Sequence, residues 1–437
     1  MSGTAEAAPL VGAVAIDDAE RRVFARIAWR VMPLLIVSYI LNYLDRTNIS
    51  FAALTMNQAV GLSATQFGLG AGVFFLGYCL FEVPSNVVLF KVGARRWIAR
   101  IMISWGLVSA AMMFVVGPNS FYALRFLLGV AEAGFFPGVA FYLSTWFPAE
   151  YRTRIIAWFM LAIPVSAVIG GPASGLLLGM DGILGLAGWQ WLFLVEGLPV
   201  VLVGIVVLNV LADTPETATW LSDEEKRIVR RRLDSENRPK VVSHLSSAIR
   251  DVRVLILAAI QFGFLVGSYG IGIWLPQMLR AGKISDLHIG FVTSACYAVA
   301  SVGMIVWATY VDRTRSSKVT HLSLSCVMAA VGFLGAIVFA DMFWVSVAWV
   351  AVALTGVNGA RAIFWSIPPR FLTGMAAAGG LAFINSIGVL GGFVGPSIMG
   401  FLTDYTGSYS AGLGALSVFL VMSASLAWFL KRFAAGE

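Results

Sequence analysis

LSDEEKRIVRRRLDSENRPK, residues 221–240, stands at the centre of the most polar passage of the chain, which runs from about 212 to 253. On either side the composition inverts. Of the 437 residues, 59% are hydrophobic and only 12% are charged, against about 25% charged in a soluble domain. Apolar runs of ~20 residues recur before and after the polar passage, each long enough to cross a hydrocarbon core of ~30 Å as a helix. A soluble fold cannot cover that much apolar surface. The bilayer is therefore the solvent, and the expected fold class is an all-α membrane protein.

Runs broken by charge, Pro or Gly clusters number twelve, near 31–53, 67–90, 97–116, 120–143, 154–178, 190–211, 254–279, 288–310, 321–340, 342–366, 376–402 and 410–430. Six precede the polar passage and six follow it. The expected organisation is an N-terminal segment over 1–30, a six-helix bundle over 31–211, a linker with a short surface helix over 212–253, a second six-helix bundle over 254–430 and a tail over 431–437. Basic residues give an independent check, because Lys and Arg collect on the cytoplasmic loops. One side carries Arg21, Arg22, Arg26 and Arg30, then Lys91, Arg95, Arg96 and Arg100, Arg152 and Arg154, the linker, Arg313, Arg315 and Lys318, Arg370, and Lys431 and Arg432, whereas the opposite loops offer Arg280 and Lys283. Both termini and the linker are thus expected in the cytoplasm, with the chain crossing the plasma (inner) membrane many times. Two six-helix halves joined in this way are what a two-bundle transporter requires, with its site at the midplane between them.

The three cysteines and three histidines have neither disulfide nor metal spacing. The net charge of +7 comes from short clusters between apolar runs, so it orients the chain in a membrane and does not imply a nucleic-acid partner. No removable signal peptide is expected, since the first 30 residues lack a short apolar region with a cleavage site. A G-x-x-x-x-G-K-[ST] phosphate cradle is missing from the sequence, and no cofactor is expected. The glycines of GLGAGVFFLG, residues 68–77, read as close helix contacts.

Charges inside the spans carry the functional reading, because each costs at least ~2.5–3.5 kcal/mol at the centre of a membrane helix. Asp45 and Arg46 lie about fourteen residues, or ~21 Å, into the first span. Arg125 and Glu132 share a face of the fourth span, with Gly129 between them leaving room for close approach and Gly134, Pro137 and Gly138 following as loosening elements. A guanidinium offers a planar fork that fits a carboxylate, so Arg46 or Arg125 suits an anion anchor. A buried carboxyl can take up and release a proton, so Asp45 and Glu132 are the candidate proton carriers. The competing reading is an ion pair that merely locks the first and fourth helices together.

Other intramembrane polar groups weigh less. Glu82 and Glu196 read as structural, and Asp312 with Arg313 reads as a gating salt bridge at the end of the eighth span. Tyr39, Tyr43, Tyr78, Gln261, Tyr269, Trp274, Trp365, Ser366 and Asn385 lie at depths suited to lining a cavity, although packing explains any single aromatic as well.

Four passages carry a family resemblance: NYLDRTNISFA (42–52), GYCLFEVPSNVVLFKVGARRWIAR (77–100), RFLLGVAEAGFFPGVAFYLSTWFP (125–148) and NSIGVLGGFVGPSIMGFLTDYTGS (385–408). Together they resemble the anion:cation symporter family of the major facilitator superfamily, along essentially the whole chain. The resemblance implies two pseudo-symmetric bundles, alternating access, and proton-coupled uptake of organic anions, as in bacterial tartrate, phthalate and hexarate permeases. It further implies that Asp45 and Glu132 are the proton-linked acids, that Arg46 and Arg125 are the substrate-linked arginines, and that Tyr43, Tyr78, Gln261, Ser366 and Asn385 are pocket positions. In the loop after the second helix, Phe90-Lys91-Val92-Gly93 departs from the superfamily's Asp-Arg pair before Gly and matches the narrower branch.

The expected function is import of a small organic carboxylate together with protons, by a monomer in the lipid bilayer. Trp365 tilts the cargo toward an aromatic acid. Exchange or facilitated passage by the same fold is the alternative, and an embedded enzyme would need a convergent catalytic set that the sequence does not display.

Overall fold

The computed structural model describes residues 18–235, 251–314, 317–368 and 375–431. Among them are twelve helices long and apolar enough to cross a membrane, referred to as spans 1–12: Asp18–Val60, Ala64–Val92, Ala94–Phe114, Pro118–Trp146, Ala149–Leu178, Gly188–Val210, Val252–Arg280, Asp286–Arg313, Lys318–Val338, Phe343–Phe364, Gly380–Thr406 and Tyr409–Leu430. Large apolar side chains such as Leu80, Val83, Val302 and Val306 are exposed on their outer faces, as lipid contact requires. Lys91, Arg313 and Lys318 cap span ends as the charge pattern anticipates, whereas Arg315, Arg370 and Arg432 lie outside the described residues.

Span 1 starts at Asp18 rather than near 31, because its first turns have something to pack on. Phe24 and Ile27 are fully covered, and Phe24 meets the Tyr151 ring at 4.6 Å. The surface helix of the linker, Asp223–Asp234, opens with a reciprocal cap in which the Glu225 N–H donates to Ser222 Oγ and the Ser222 N–H donates to Glu225 Oε2. It is docked as well as solvated: Val229 is buried, Arg26 pairs with Glu225 at 2.9 Å, and Arg232 reaches Glu20 at 3.3 Å and Glu150 at 2.5 Å. These contacts define a linker end of the bundle.

At the far end the two halves press together through glycines. A methyl on Gly68 of span 2 would lie 2.4 Å from the Pro396 carbonyl oxygen of span 11, and one on Gly171 of span 5 would lie 2.2 Å from that of Gly290 in span 8. Backbones approach this closely only where no side chain intervenes. Asp404, at the end of span 11, accepts the N–H groups of Ala64 at 3.1 Å and Thr65 at 2.7 Å, placing a carboxylate on the positive end of span 2. Asn57 donates to Gln277 at 3.4 Å, and Arg280 donates to the Leu54 carbonyl. The hydrogen bonds that cross between the halves among the described residues thus lie at the far end and mid-depth, where Ser294 Oγ donates to the Ala167 carbonyl at 3.2 Å and Cys79 reaches the Ser386 carbonyl.

Candidate functional site

Between the halves lies a cavity of about 380 Å³, within the ~300–1,000 Å³ of small-molecule sites. Span 1 contributes Tyr43, Arg46, Thr47 and Ser50, whose spacing of three, four and seven residues puts them on one helix face. Asp45 lies off that face. Its carboxylate accepts the Ser109 hydroxyl of span 3 and the Asn48 amide at 3.1 Å, and among the described residues Oδ2 has no hydrogen-bond partner.

Arg46 Nε donates to Glu132 Oε1 at 2.5 Å, joining spans 1 and 4. Three rings cage the guanidinium, with centroids 5.7 Å away at Tyr43, 5.7 Å at Phe74 and 5.1 Å at Tyr78. Glu132 is fully buried, and its Oε2 has no hydrogen-bond partner among the described residues. It ends the first segment of span 4 (Pro118–Glu132), and a second begins at Phe135. The break falls at Gly134, whose φ of +89° suits glycine. The freed Ala133 carbonyl accepts Ser85 Oγ at 2.7 Å, and Ser85 accepts the Trp97 indole N–H at 3.0 Å. Helix disruption in a membrane requires such replacement partners, so the FEVPSN passage stabilises the bend that positions Glu132.

Arg125 is 2% exposed, yet among the described residues it forms no ion pair. Its guanidinium makes one long contact to the Ala71 carbonyl, 3.4 Å, lies 4.9 Å from the Phe74 centroid, and leaves Nε unpartnered. Gly129 allows the approach: a methyl there would lie 2.0 Å from the Phe74 carbonyl oxygen. A buried cation needs counter-charges, hydrogen bonds or ring faces to offset its lost hydration. Arg125 faces the cavity with that requirement met only in part, by the long Ala71 contact, the Phe74 ring and the neighbouring Asp45 and Glu132 carboxylates, none of which forms a direct ion pair with it.

The remaining candidates separate by position. Tyr269 lines the cavity and meets Phe75 across the halves at 4.4 Å. Tyr78 packs on Arg46 outside the lining. Gln261 is buried at the contact with Gly388 of span 11, and Asn385 of the same span is half-buried and also outside the lining. Trp365 follows the end of span 10 and is 42% exposed, packing edge-on against Phe364. Tyr39 stacks on Phe159 at 4.2 Å within the first half. Trp274 donates to the Pro396 carbonyl at 3.1 Å. Glu196 accepts Ser174 Oγ at 3.2 Å, and Glu82 is half-buried away from the cavity.

Asp312 requires a correction. Its ion partner is Lys318, at 3.4 Å, and not Arg313, which is exposed. Neighbouring helical residues point about 100° apart and do not face each other. Asp312, Lys318 and Ser366 line a small space of about 60 Å³ at the linker end.

Sequence reasoning missed Arg361, Asn358, Ser268 and Tyr297, all of which line the cavity from the second half. The signal was available for Arg361, an arginine inside the apolar run of span 10. It lies four residues before the adjoining loop, where a cation reads as a helix-end anchor.

A family model described as Major Facilitator Superfamily matches residues 35–380. A protein from Agrobacterium vitis named "Putative tartrate transporter" is 48% identical over 421 residues, covering 96% of this chain and 93% of its own. A "Quinolone resistance transporter" from Acinetobacter baumannii is 41% identical, covering 94% and 95%. Among solved structures, a D-xylose-proton symporter superposes with a TM-score of 0.74 at 12% identity over 93% of this chain and 97% of its own, which bears on the fold alone. The chain therefore belongs to the Major Facilitator Superfamily and is a multi-pass membrane transporter of small organic substrates, not an enzyme.

Proposed function

We propose that the protein imports a small organic carboxylate together with protons, Arg125 holding the anion while Glu132 and Asp45 carry protons. The observation behind this reading is the contrast between two arginines at one cavity: Arg46 is paired with Glu132, whereas Arg125 makes no direct ion pair among the described residues. An anion entering the cavity supplies a direct ion pair, and a carboxylate matches the guanidinium fork. The kinship with a protein named as a tartrate transporter agrees with that cargo class.

Protonating Glu132 removes the charge that holds Arg46 and frees a second guanidinium for cargo. Losing the proton restores the pair and favours cargo release. Import follows if the linker end faces the cytoplasm, as the distribution of Lys and Arg favours. A second reading has its own support, since the same Arg46–Glu132 contact ties spans 1 and 4 and so suits a purely structural lock in an exchanger.

Glu132→Gln separates the two, because glutamine keeps the acceptor and the shape but cannot take up a proton. In proteoliposomes with an imposed pH gradient, the variant should lose accumulation of labelled tartrate while retaining counterflow. Undiminished accumulation would assign the residue to the structural lock.

A further inference from the structure

We propose that Arg361 is a second anion anchor and that the cargo is a dianion, one carboxylate held by Arg125 from the first half and the other by Arg361 from the second. This deepens the carboxylate reading above and rests on it.

Arg361 sits near the linker end of span 10, but long helical side chains lean back toward their N-terminus, which here carries the guanidinium to mid-depth. Its Nη2 donates to Ser268 Oγ at 2.6 Å. Ser268 lies twelve residues from the far end of span 7, a rise of about 18 Å. Among the described residues Arg361 makes no ion pair, and it lines the same cavity as Arg125. Arg46 is neutralised there by Glu132, and Asp45 is turned toward Ser109 and Asn48. Two guanidinium groups, one on each half, thus face a single small cavity without a direct ion pair among the described residues.

Unpaired cations in a confined apolar site are costly, and a cargo with two carboxylates satisfies both. A monocarboxylate satisfies one. Because the anchors belong to different halves, the dianion also bridges the elements that move relative to each other in alternating access, stabilising their closure around it.

The test compares acids that differ by one carboxylate, tartrate against glycerate and phthalate against benzoate, binding to the purified full chain by calorimetry. The wild type should prefer the diacid of each pair. Arg361→Gln should weaken diacid binding by about ten- to a hundredfold, as expected for a charge-assisted contact, and leave monoacid binding nearly unchanged. Arg361→Lys should lie between, since a point charge replaces the fork imperfectly. Equal weakening of both classes by either variant, or none, would overturn the assignment. If Arg361→Gln does not fold, the same comparison is read from Arg361→Lys, a selective loss of the diacid supporting the anchor and an equal loss refuting it. A wild type that binds none of the four acids would refute the carboxylate reading itself, whereas one that binds monoacids as tightly as diacids would refute only the dianion.

Discussion

A single methyl at the far end should change which side of the membrane the protein faces. Gly290 of span 8 lies against Gly171 of span 5, and a Cβ on Gly290 would come 2.2 Å from the Gly171 carbonyl oxygen, short of the 3.4 Å at which ordinary contact begins. The obstructing atom is backbone, so Gly290→Ala forces the helices apart by about 1.2 Å at a contact that opening of the far side would break. Overpacking of this kind costs about 1–3 kcal/mol, which shifts the ratio of far-closed to far-open molecules by about 5- to 150-fold. Spin labels on Asn119 and Asp341, exposed at the far ends of opposite halves, would report the change as a second, longer distance by pulsed electron resonance. The free cysteines Cys79, Cys296 and Cys326 would first be replaced. Gly414→Ala is the control, because among the described residues nothing lies within 4 Å of a methyl there. An unchanged distance distribution in Gly290→Ala, with normal transport, would refute the argument that this glycine pair closes the far side.

Two further substitutions address the latch and the anchor. Asp404→Asn removes the charge from a carboxylate that receives two N–H groups of span 2; charge-assisted bonds are roughly twice as strong as neutral ones, so the same labels should show a larger far-open fraction, and an unaltered fraction would mean that the latch contributes nothing to closure. Arg125→Lys keeps the charge but loses the fork, and should weaken carboxylate binding by about tenfold or more; wild-type affinity would move the anchor elsewhere.

The architecture was legible because it rests on long-range composition. A polar passage around 221–240, six apolar runs on each side and alternating basic loops determine twelve crossings whatever their packing. Depth was legible too, since residue count converts directly to height in a membrane helix, and Arg46 and Glu132 do meet. Facing was harder. One residue turns a helix by about 100°, and that rotation separates Arg46, on the cavity, from Asp45, which bonds to Ser109 of span 3. The i, i+3, i+4, i+7 spacing of Tyr43, Arg46, Thr47 and Ser50 encodes the cavity face and was available to be read. Gln261 shows what the sequence withholds: its depth suits a pocket, but contact with Gly388 turns it toward span 11. Arg361 failed differently, because its backbone position suggests a helix end while its side chain reaches inward.

On the proposed reading, coupling of proton and cargo turns on which charges the cavity can leave unpaired. With Glu132 ionised, Arg46 is paired and, as proposed, Arg125 and Arg361 are left for cargo; with Glu132 protonated and no anion bound, three guanidinium groups face one cavity of about 380 Å³ without a direct ion pair. Breaking a buried ion pair by neutralising one member costs several kcal/mol because the other charge is stranded. On the proposed reading that cost disfavours carrying a proton without an anion. The converse leak, an anion without a proton, is disfavoured more weakly, since Arg125 can hold cargo while Arg46 stays with Glu132. Slippage should therefore run toward unprotonated cargo movement rather than proton leak, a direction that an exchanger, indifferent to Glu132 protonation, would not share.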